Sequence, residues 1–221
     1  MPRPTLSIGN KNYSSWSLRP WLALRWAGVD FDEHVIPLAE GYAHGAIPAI
    51  RALSPTGKVP VLLVDGVTIY DSLAICEWAA EQSPALYPAD ATARALCRSA
   101  VAEMHSGFAA LRAALPMNIR RRVQIASWPP DVAADIARVV ALWTTLRATH
   151  GAGGPWLFGH RTVADAFYAP VATRFRTYGV ALPPLLDAYV DTLYADAEFR
   201  GWEADSKAER WSIASTDALY P

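Results

Sequence analysis

Four signals in the first third of the chain combine residue types suited to chemistry. The first is Asn12-Tyr13-Ser14-Ser15-Trp16-Ser17-Leu18-Arg19, where hydroxyls cluster ahead of an apolar helical stripe. The free amides of a helix N-terminus attract anions, and a hydroxyl beside them adds a donor. Such a place suits a thiolate. A free thiol of pKa about 8.5 is only about 3% ionised at pH 7. Lowering that pKa by ~2 units takes ~2.7 kcal/mol of preferential anion stabilisation. One neutral hydroxyl supplies about half of this, and the helix amides supply the rest. On local sequence alone, capping of the helix by Ser14 or Ser15 is the simpler reading.

The other three signals follow within sixty residues. Gly57-Lys58-Val59-Pro60 is a proline turn entering a β-branched run. Read locally, Pro60 is an ordinary trans proline before an edge strand. Asp65-Gly66 separates two short runs, which predicts a hairpin because both turn positions need positive φ. Asp71-Ser72 opens an apolar helical stretch, as a helix cap or as an acceptor of a carboxylate.

These residues need elements to hold them. Residues 4–8 read as a strand and 17–28 as a helix with Leu18, Trp21, Leu22, Leu24, Arg25 and Trp26 on its stripe. Pro20 belongs in the first turn of that helix, where its missing N–H costs little. Strands are predicted at 31–36, 61–64 and 67–70, a loop with a weak helix at 40–53, and a helix at 72–81. The order is β-α-β-(loop/α)-β-β-α over residues 1–82. Residues 83–92 carry two prolines and read as a linker. Residues 93–221 are helical in pattern, with helices at 93–115, 131–150 and 163–178 and one or two more in 183–205. The fold class is therefore an α/β N-terminal domain followed by an all-α domain.

Composition narrows the function classes. With 20 basic and 21 acidic residues the net charge is −1, which argues against non-specific nucleic-acid binding. Cys76 and Cys97 have no metal-ligand or CxxC spacing; they read as small buried apolar residues in a reducing compartment. Residues 1–30 show no secretory hydrophobic segment, and no apolar run is long enough to span a membrane. A soluble, cytoplasmic protein without metal is expected.

The whole pattern resembles the cytosolic glutathione S-transferase family, in particular a serine-type, zeta-like bacterial member. The resemblance rests on Ser14-Ser15-Trp16-Ser17-Leu18-Arg19, on Gly57-Lys58-Val59-Pro60, on Asp65-Gly66 with Asp71-Ser72-Leu73-Ala74-Ile75, and on Thr162-Val163-Ala164-Asp165. It implies a thioredoxin-like N-terminal domain that binds glutathione as co-substrate, a helical second domain, and a homodimer. It assigns Ser14 to the thiol, with Ser15 as backup and Tyr13 as an alternative donor. It implies a cis Val59-Pro60 bond, with the Val59 backbone pairing the ligand as an added strand does. Ser72 would hold the γ-glutamyl carboxylate, Asp71 the γ-glutamyl ammonium, and Lys58 the glycyl carboxylate, unless Lys58 is simply solvated. Thr162 and Asp165 form a structural capping box.

The electrophile is expected between the domains, near Trp16, Met104, His105, Phe108, Arg112 and Arg120. The run Arg120-Arg121-Arg122 either receives an acidic substrate or is a solvated helix end or dimer contact. His105 reads as packed rather than basic. One departure concerns maleylacetoacetate isomerases of the zeta group, which carry a cysteine after the serine pair and an arginine on a later helix. Here those positions hold Trp16 and Thr177, with Arg174 and Arg176 out of register. The expected activity is glutathione transfer to a small electrophile, with a role in detoxification. The alternatives are glutathione-dependent isomerisation and a non-catalytic glutathione-binding or interaction protein.

Overall fold

A computed structural model describes residues 3–38 and 47–220. Residues 39–46, which take in the first part of the 40–53 segment expected to be loop with a weak helix, lie outside the described residues. The α/β part runs β1 (Thr5–Ile8), α1 (Ser15–Trp26), β2 (Asp32–Val35), α2 (Pro48–Leu53), β3 (Val61–Val64), β4 (Val67–Ile69) and α3 (Ser72–Gln82). The expected order of elements is therefore found. The sheet order is β2-β1-β3-β4; β1 pairs with β2 in parallel, and β3 pairs antiparallel with both β1 and β4. In that register Leu62 faces Leu6 on one side and Ile69 on the other. The β3–β4 hairpin turns at Asp65 (φ 48°) and Gly66 (φ 81°), the left-handed pair that a two-residue loop demands.

Helix α1 begins two residues earlier than its apolar stripe suggests. Pro20 therefore sits inside the helix, past the first turn, and leaves the Trp16 carbonyl without its helical donor. The stripe buries Leu18, Trp21, Leu22 and Leu24, and the helix packs between α3 and a long central helix of the second half.

That half comprises α4 (Ala91–Ser106), α5 (Ala109–Ala114), α6 (Pro130–His150), α7 (Val163–Tyr178), α8 (Pro184–Ala195), α9 (Ala197–Ala208) and α10 (Ala214–Asp217). A short 3-10 turn, Pro84–Leu86, precedes it. In α7 every residue but Arg176 is buried, so this helix is the core of the bundle. Trp143 of α6 has no exposed surface and meets Tyr168, Phe175 and Tyr189 at centroid distances of 5.0–5.8 Å. Such tilted aromatic contacts add about 0.5–1.5 kcal/mol each beyond area burial.

The single helix expected over 93–115 is instead two. Gly107 closes α4 by donating to the Glu103 carbonyl at 2.8 Å. A Cβ at Gly107 would lie 2.7 Å from that same oxygen, so only glycine fits. Phe108 then takes a left-handed conformation (φ 59°), and α5 restarts with the Leu111 N–H donating to Asp135 of α6 at 3.0 Å. The Ala/Leu periodicity continues across the break and hides it. The capping box is present as expected: the Thr162 N–H donates to the Asp165 carboxylate at 2.8 Å, and the Leu157 N–H donates to its other oxygen at 3.1 Å. Burial pushes the Asp165 carboxyl up, and these bonds oppose it.

Candidate active site

The turn from Asn10 to Ser14 sets the first hydroxyl. Ser14 donates its N–H to the Asn10 carbonyl at 2.8 Å and accepts the Leu18 N–H through its own carbonyl at 3.2 Å. Its side chain makes no cap, so the hydroxyl is free of the role that local sequence favoured. Instead the Ser14 and Ser17 Oγ atoms lie 2.8 Å apart, and Ser17 Oγ accepts the Gly9 N–H at 3.1 Å. A serine hydroxyl has one proton and two acceptor sites. When Ser17 gives its proton to Ser14, the Ser14 proton is left for the adjoining space. Ser17 was missed in the sequence reading, although its i+3 spacing from Ser14 was visible.

That space is a cavity of about 680 Å³ whose walls include Ser14, Trp16, Lys58, Val59, Pro60, Asp71, Ser72 and His105. The Val59-Pro60 bond is cis. Asp71 caps α3, accepting the Leu73 N–H at 2.9 Å, and its other oxygen lies 3.2 Å from His105 Nε2. Ser72 Oγ is buried without a hydrogen-bond partner among the described residues. A buried hydroxyl left unpaired costs about 1–3 kcal/mol, so a ligand acceptor or donor there is favoured. Lys58 is exposed at the rim.

The chain matches the model of the glutathione S-transferase N-terminal domain over residues 13–82, which spans this wall of the cavity. It is 29% identical over 201 residues to a maleylacetoacetate isomerase of Pseudomonas aeruginosa, covering 86% of this chain and 91% of that protein. It is 29% identical over 186 residues to the Rattus norvegicus protein of the same name, covering 82% of each. The theta class glutathione S-transferase of Xanthomonas axonopodis pv. citri, solved with glutathione bound, superposes with a TM-score of 0.63 at 26% identity, over 91% of this chain and 97% of that one. Residues 13–82 thus match a glutathione S-transferase N-terminal domain, and the chain as a whole is similar to maleylacetoacetate isomerases and to glutathione S-transferases. A glutathione transferase homolog from Burkholderia superposes with a TM-score of 0.71 at 22% identity, over 94% of this chain and all of that one, and shares the fold.

Several other predicted residues stand elsewhere. Ser15 is buried as the first residue of α1 and does not line the cavity. The Tyr13 hydroxyl turns the other way, donating to Asp217 at 2.9 Å and accepting from Arg120 at 3.0 Å. Met104 is fully buried and Phe108 nearly so, both in the core, and neither lines the cavity.

Arg120 is a correction. It is neither in the cavity nor at a solvated helix end; its guanidinium binds the carbonyls of Glu209 (2.8 Å) and Trp211 (2.9 Å). Arg121 likewise binds the Tyr220 carbonyl, and Arg122 that of Ile119. Arg120, which also bonds the Asn12 side chain through its N–H and the Tyr13 hydroxyl through its guanidinium, fastens the C-terminal segment to the loop that carries Ser14. Glu209 completes the clasp, accepting the Lys11 and Asn12 N–H groups at 2.5 and 3.1 Å. Its carboxyl is pushed up by burial, against those bonds and Arg120.

Trp16 lines the cavity and packs against the helical half. It meets His105 edge-on at 5.5 Å, and both Arg19 (4.3 Å) and Arg112 (4.2 Å) stand over its ring. Thr177 is buried and donates to the Asn118 carbonyl at 2.9 Å. Arg176 pairs with Asp191 on the surface at 2.6 Å, whereas Arg174 points inward and donates to the Leu115 carbonyl at 2.7 Å. Among the described residues no group of His, Cys, Asp and Glu is gathered to hold a metal, and no helix is long and apolar enough to cross a membrane.

Proposed function

We propose that this chain is a glutathione transferase that binds the tripeptide in the 680 Å³ cavity and ionises its thiol at Ser14. The observation that carries the reading is one wall holding Ser14, the cis Val59-Pro60 turn and the Asp71-Ser72 helix start together. Glutathione binding in the Xanthomonas relative supports it. The Val59 backbone pairs with the cysteinyl unit. The unpartnered Ser72 hydroxyl and the α3 amides take the γ-glutamyl carboxylate. Asp71 takes the ammonium, and Lys58 at the rim takes the glycyl carboxylate.

The thiol then sits where Ser14 donates a proton to it, backed by the start of α1. As the thiol ionises, its proton leaves to solvent. The sulfur attacks an electrophilic carbon, and for a chlorinated substrate the C–S bond forms as the C–Cl bond breaks and chloride departs. Trp16 and His105 border the place where the electrophile lies. The same reading carries a homodimer and a detoxifying role in the cytoplasm, the first of which sedimentation tests.

The similarity to a maleylacetoacetate isomerase over 86% of this chain favours a second reading, in which the thiol adds, the adduct rotates and the thiol is returned. Retention on immobilised glutathione, followed by turnover of chlorodinitrobenzene with one glutathione consumed per product, supports transfer. Turnover of a cis-alkene with no net loss of glutathione supports isomerisation. Failure to bind glutathione overturns both.

A further inference from the structure

We propose that Glu209 is a positioning residue of the thiol site: its carboxylate fixes the turn that aims the Ser14 hydroxyl. This rests on the reading of Ser14 as the donor to the bound sulfur, and it adds to that site a residue from the far end of the chain.

The turn runs from Gly9 to Ser14, between the end of β1 and the start of α1. Within it the Tyr13 and Ser14 N–H groups both donate to the Asn10 carbonyl, at 3.2 and 2.8 Å. Lys11 and Asn12 span the ring that these bonds close, and both are buried. Their N–H groups donate not within the turn but to the two oxygens of Glu209, at 2.5 and 3.1 Å, across 198 and 197 residues. The carbonyls of the same pair are held from the helical half. That of Lys11 accepts the Trp202 indole N–H at 3.0 Å, and that of Asn12 accepts the Ile119 N–H at 3.3 Å. Lys11 Nζ lies 2.7 Å from Glu33 and 2.6 Å from Asp205. Glu209 is itself fixed: its N–H donates to the Asp205 carbonyl at 3.0 Å, and its carbonyl accepts from Arg120 at 2.8 Å.

Buried backbone N–H groups need acceptors, and an ionised carboxylate is a strong one. Without Glu209 the Lys11-Asn12 segment must swing its amides towards water or another acceptor. That movement distorts the Asn10–Ser14 ring. It also shifts Ser14 Oγ from its 2.8 Å contact with Ser17 Oγ, the contact that leaves the Ser14 proton for the cavity. A donor displaced by a fraction of an ångström loses much of its hold on a developing anion. Glu209 does not line the cavity, so its effect reaches the sulfur through the turn. Tyr13 supplies the comparison. Its hydroxyl ties the same C-terminal segment to the same turn through Asp217 and Arg120, without bonding the backbone of the turn.

The test uses the full chain and three variants. Glu209→Ala removes both acceptor oxygens. Glu209→Gln keeps one, and stands in should the first fail to fold. Tyr13→Phe loosens the C-terminal segment and keeps the Lys11 and Asn12 bonds. In the glutathione complex the pKa of the bound thiol should rise by about half a unit or more in the Glu209 variants. Turnover of chlorodinitrobenzene below that pKa then falls about threefold in kcat, with KM for glutathione within about twofold of wild type. Tyr13→Phe should leave all three where they were. Hydrogen exchange of the unliganded chain reads the turn directly. Relative to the amides of α7, those of Lys11 and Asn12 should exchange about tenfold faster in Glu209→Gln and at the wild-type ratio in Tyr13→Phe.

An unchanged thiol pKa in the Glu209 variants, with lowered unfolding midpoints, makes Glu209 a tie for the C-terminal segment alone and overturns the proposal. A rise of equal size in Tyr13→Phe overturns it too. Failure of the underlying reading looks different. There Ser14→Ala leaves the thiol pKa unchanged while amide exchange still quickens in Glu209→Gln. That result overturns the donor role of Ser14 and with it the aiming role of Glu209, and leaves the Glu209 contact with the turn standing.

Discussion

Asp71 Oδ2 lies 3.2 Å from His105 Nε2, so the cap of α3 is tied to the last turn of α4 across the mouth of the cavity. One carboxylate thus serves as helix cap, as partner of a histidine from the other half and as the proposed site for an ammonium. Asp71→Asn keeps an oxygen for the Leu73 N–H but removes the charge. We expect KM for glutathione to rise about tenfold, or ~1.4 kcal/mol, with kcat and the unfolding midpoint nearly unchanged. Asp71→Ala should lose the cap as well and cost about 1 kcal/mol of stability. Steady-state kinetics and urea unfolding of the pair check this.

Asp165 lies wholly inside the protein and accepts bonds from the Thr162 and Leu157 backbones. Asp165→Ala leaves those buried donors unpaired and should cost about 2–4 kcal/mol. The folded fraction should keep normal turnover per molecule. Unfolding midpoints and active-site-normalised kcat separate the two effects. A variant that folds normally and is inactive contradicts the structural assignment.

Much of the fold was legible because it is written in local patterns. The β-branched runs around Asp65-Gly66, the order of elements and the limits of α7 follow from periodicity and turn chemistry. The break at Gly107-Phe108 was not legible, because the apolar repeat runs through it and the reason lies in a backbone clash with Glu103. The site was half legible. Ser14, Val59-Pro60 and Asp71-Ser72 share one cavity wall as their motifs imply. Arg120 was misplaced because its acceptors are main-chain carbonyls 89 and 91 residues away, and a carbonyl has no signature in sequence. Arg19 carries no signal either, since an arginine on a helix reads as solvated until burial is known.

Tyr13 offers a control for the sulfur donor. Its hydroxyl is spent on Asp217 and Arg120. Tyr13→Phe should lower stability by about 1–2 kcal/mol through the C-terminal clasp and leave the acidity of the bound thiol where it was. A raised thiol pKa in this variant points to Tyr13 as the donor instead.

Burial holds the protons of both cysteines, pushing Cys97 from 9.0 to about 12 and Cys76 well above its ordinary value. The folded-state pKa is raised, so the linked stability is complete below pH 9 and is lost as pH climbs from 9 towards 12. At pH 8 native chain should show no alkylation by iodoacetamide, and both thiols should react once urea unfolds it. Rapid labelling of either cysteine in the native chain contradicts the buried assignment.

The account depends most on the Ser14 hydroxyl. The direct measurement is a pH titration of thiolate absorbance in the glutathione complex of the wild-type chain and of Ser14→Ala, with far-ultraviolet circular dichroism confirming the fold. The account predicts a bound-thiol pKa well under the free value in the wild type, and a rise of about 1 unit or more in the variant. An identical pKa in the two complexes contradicts it.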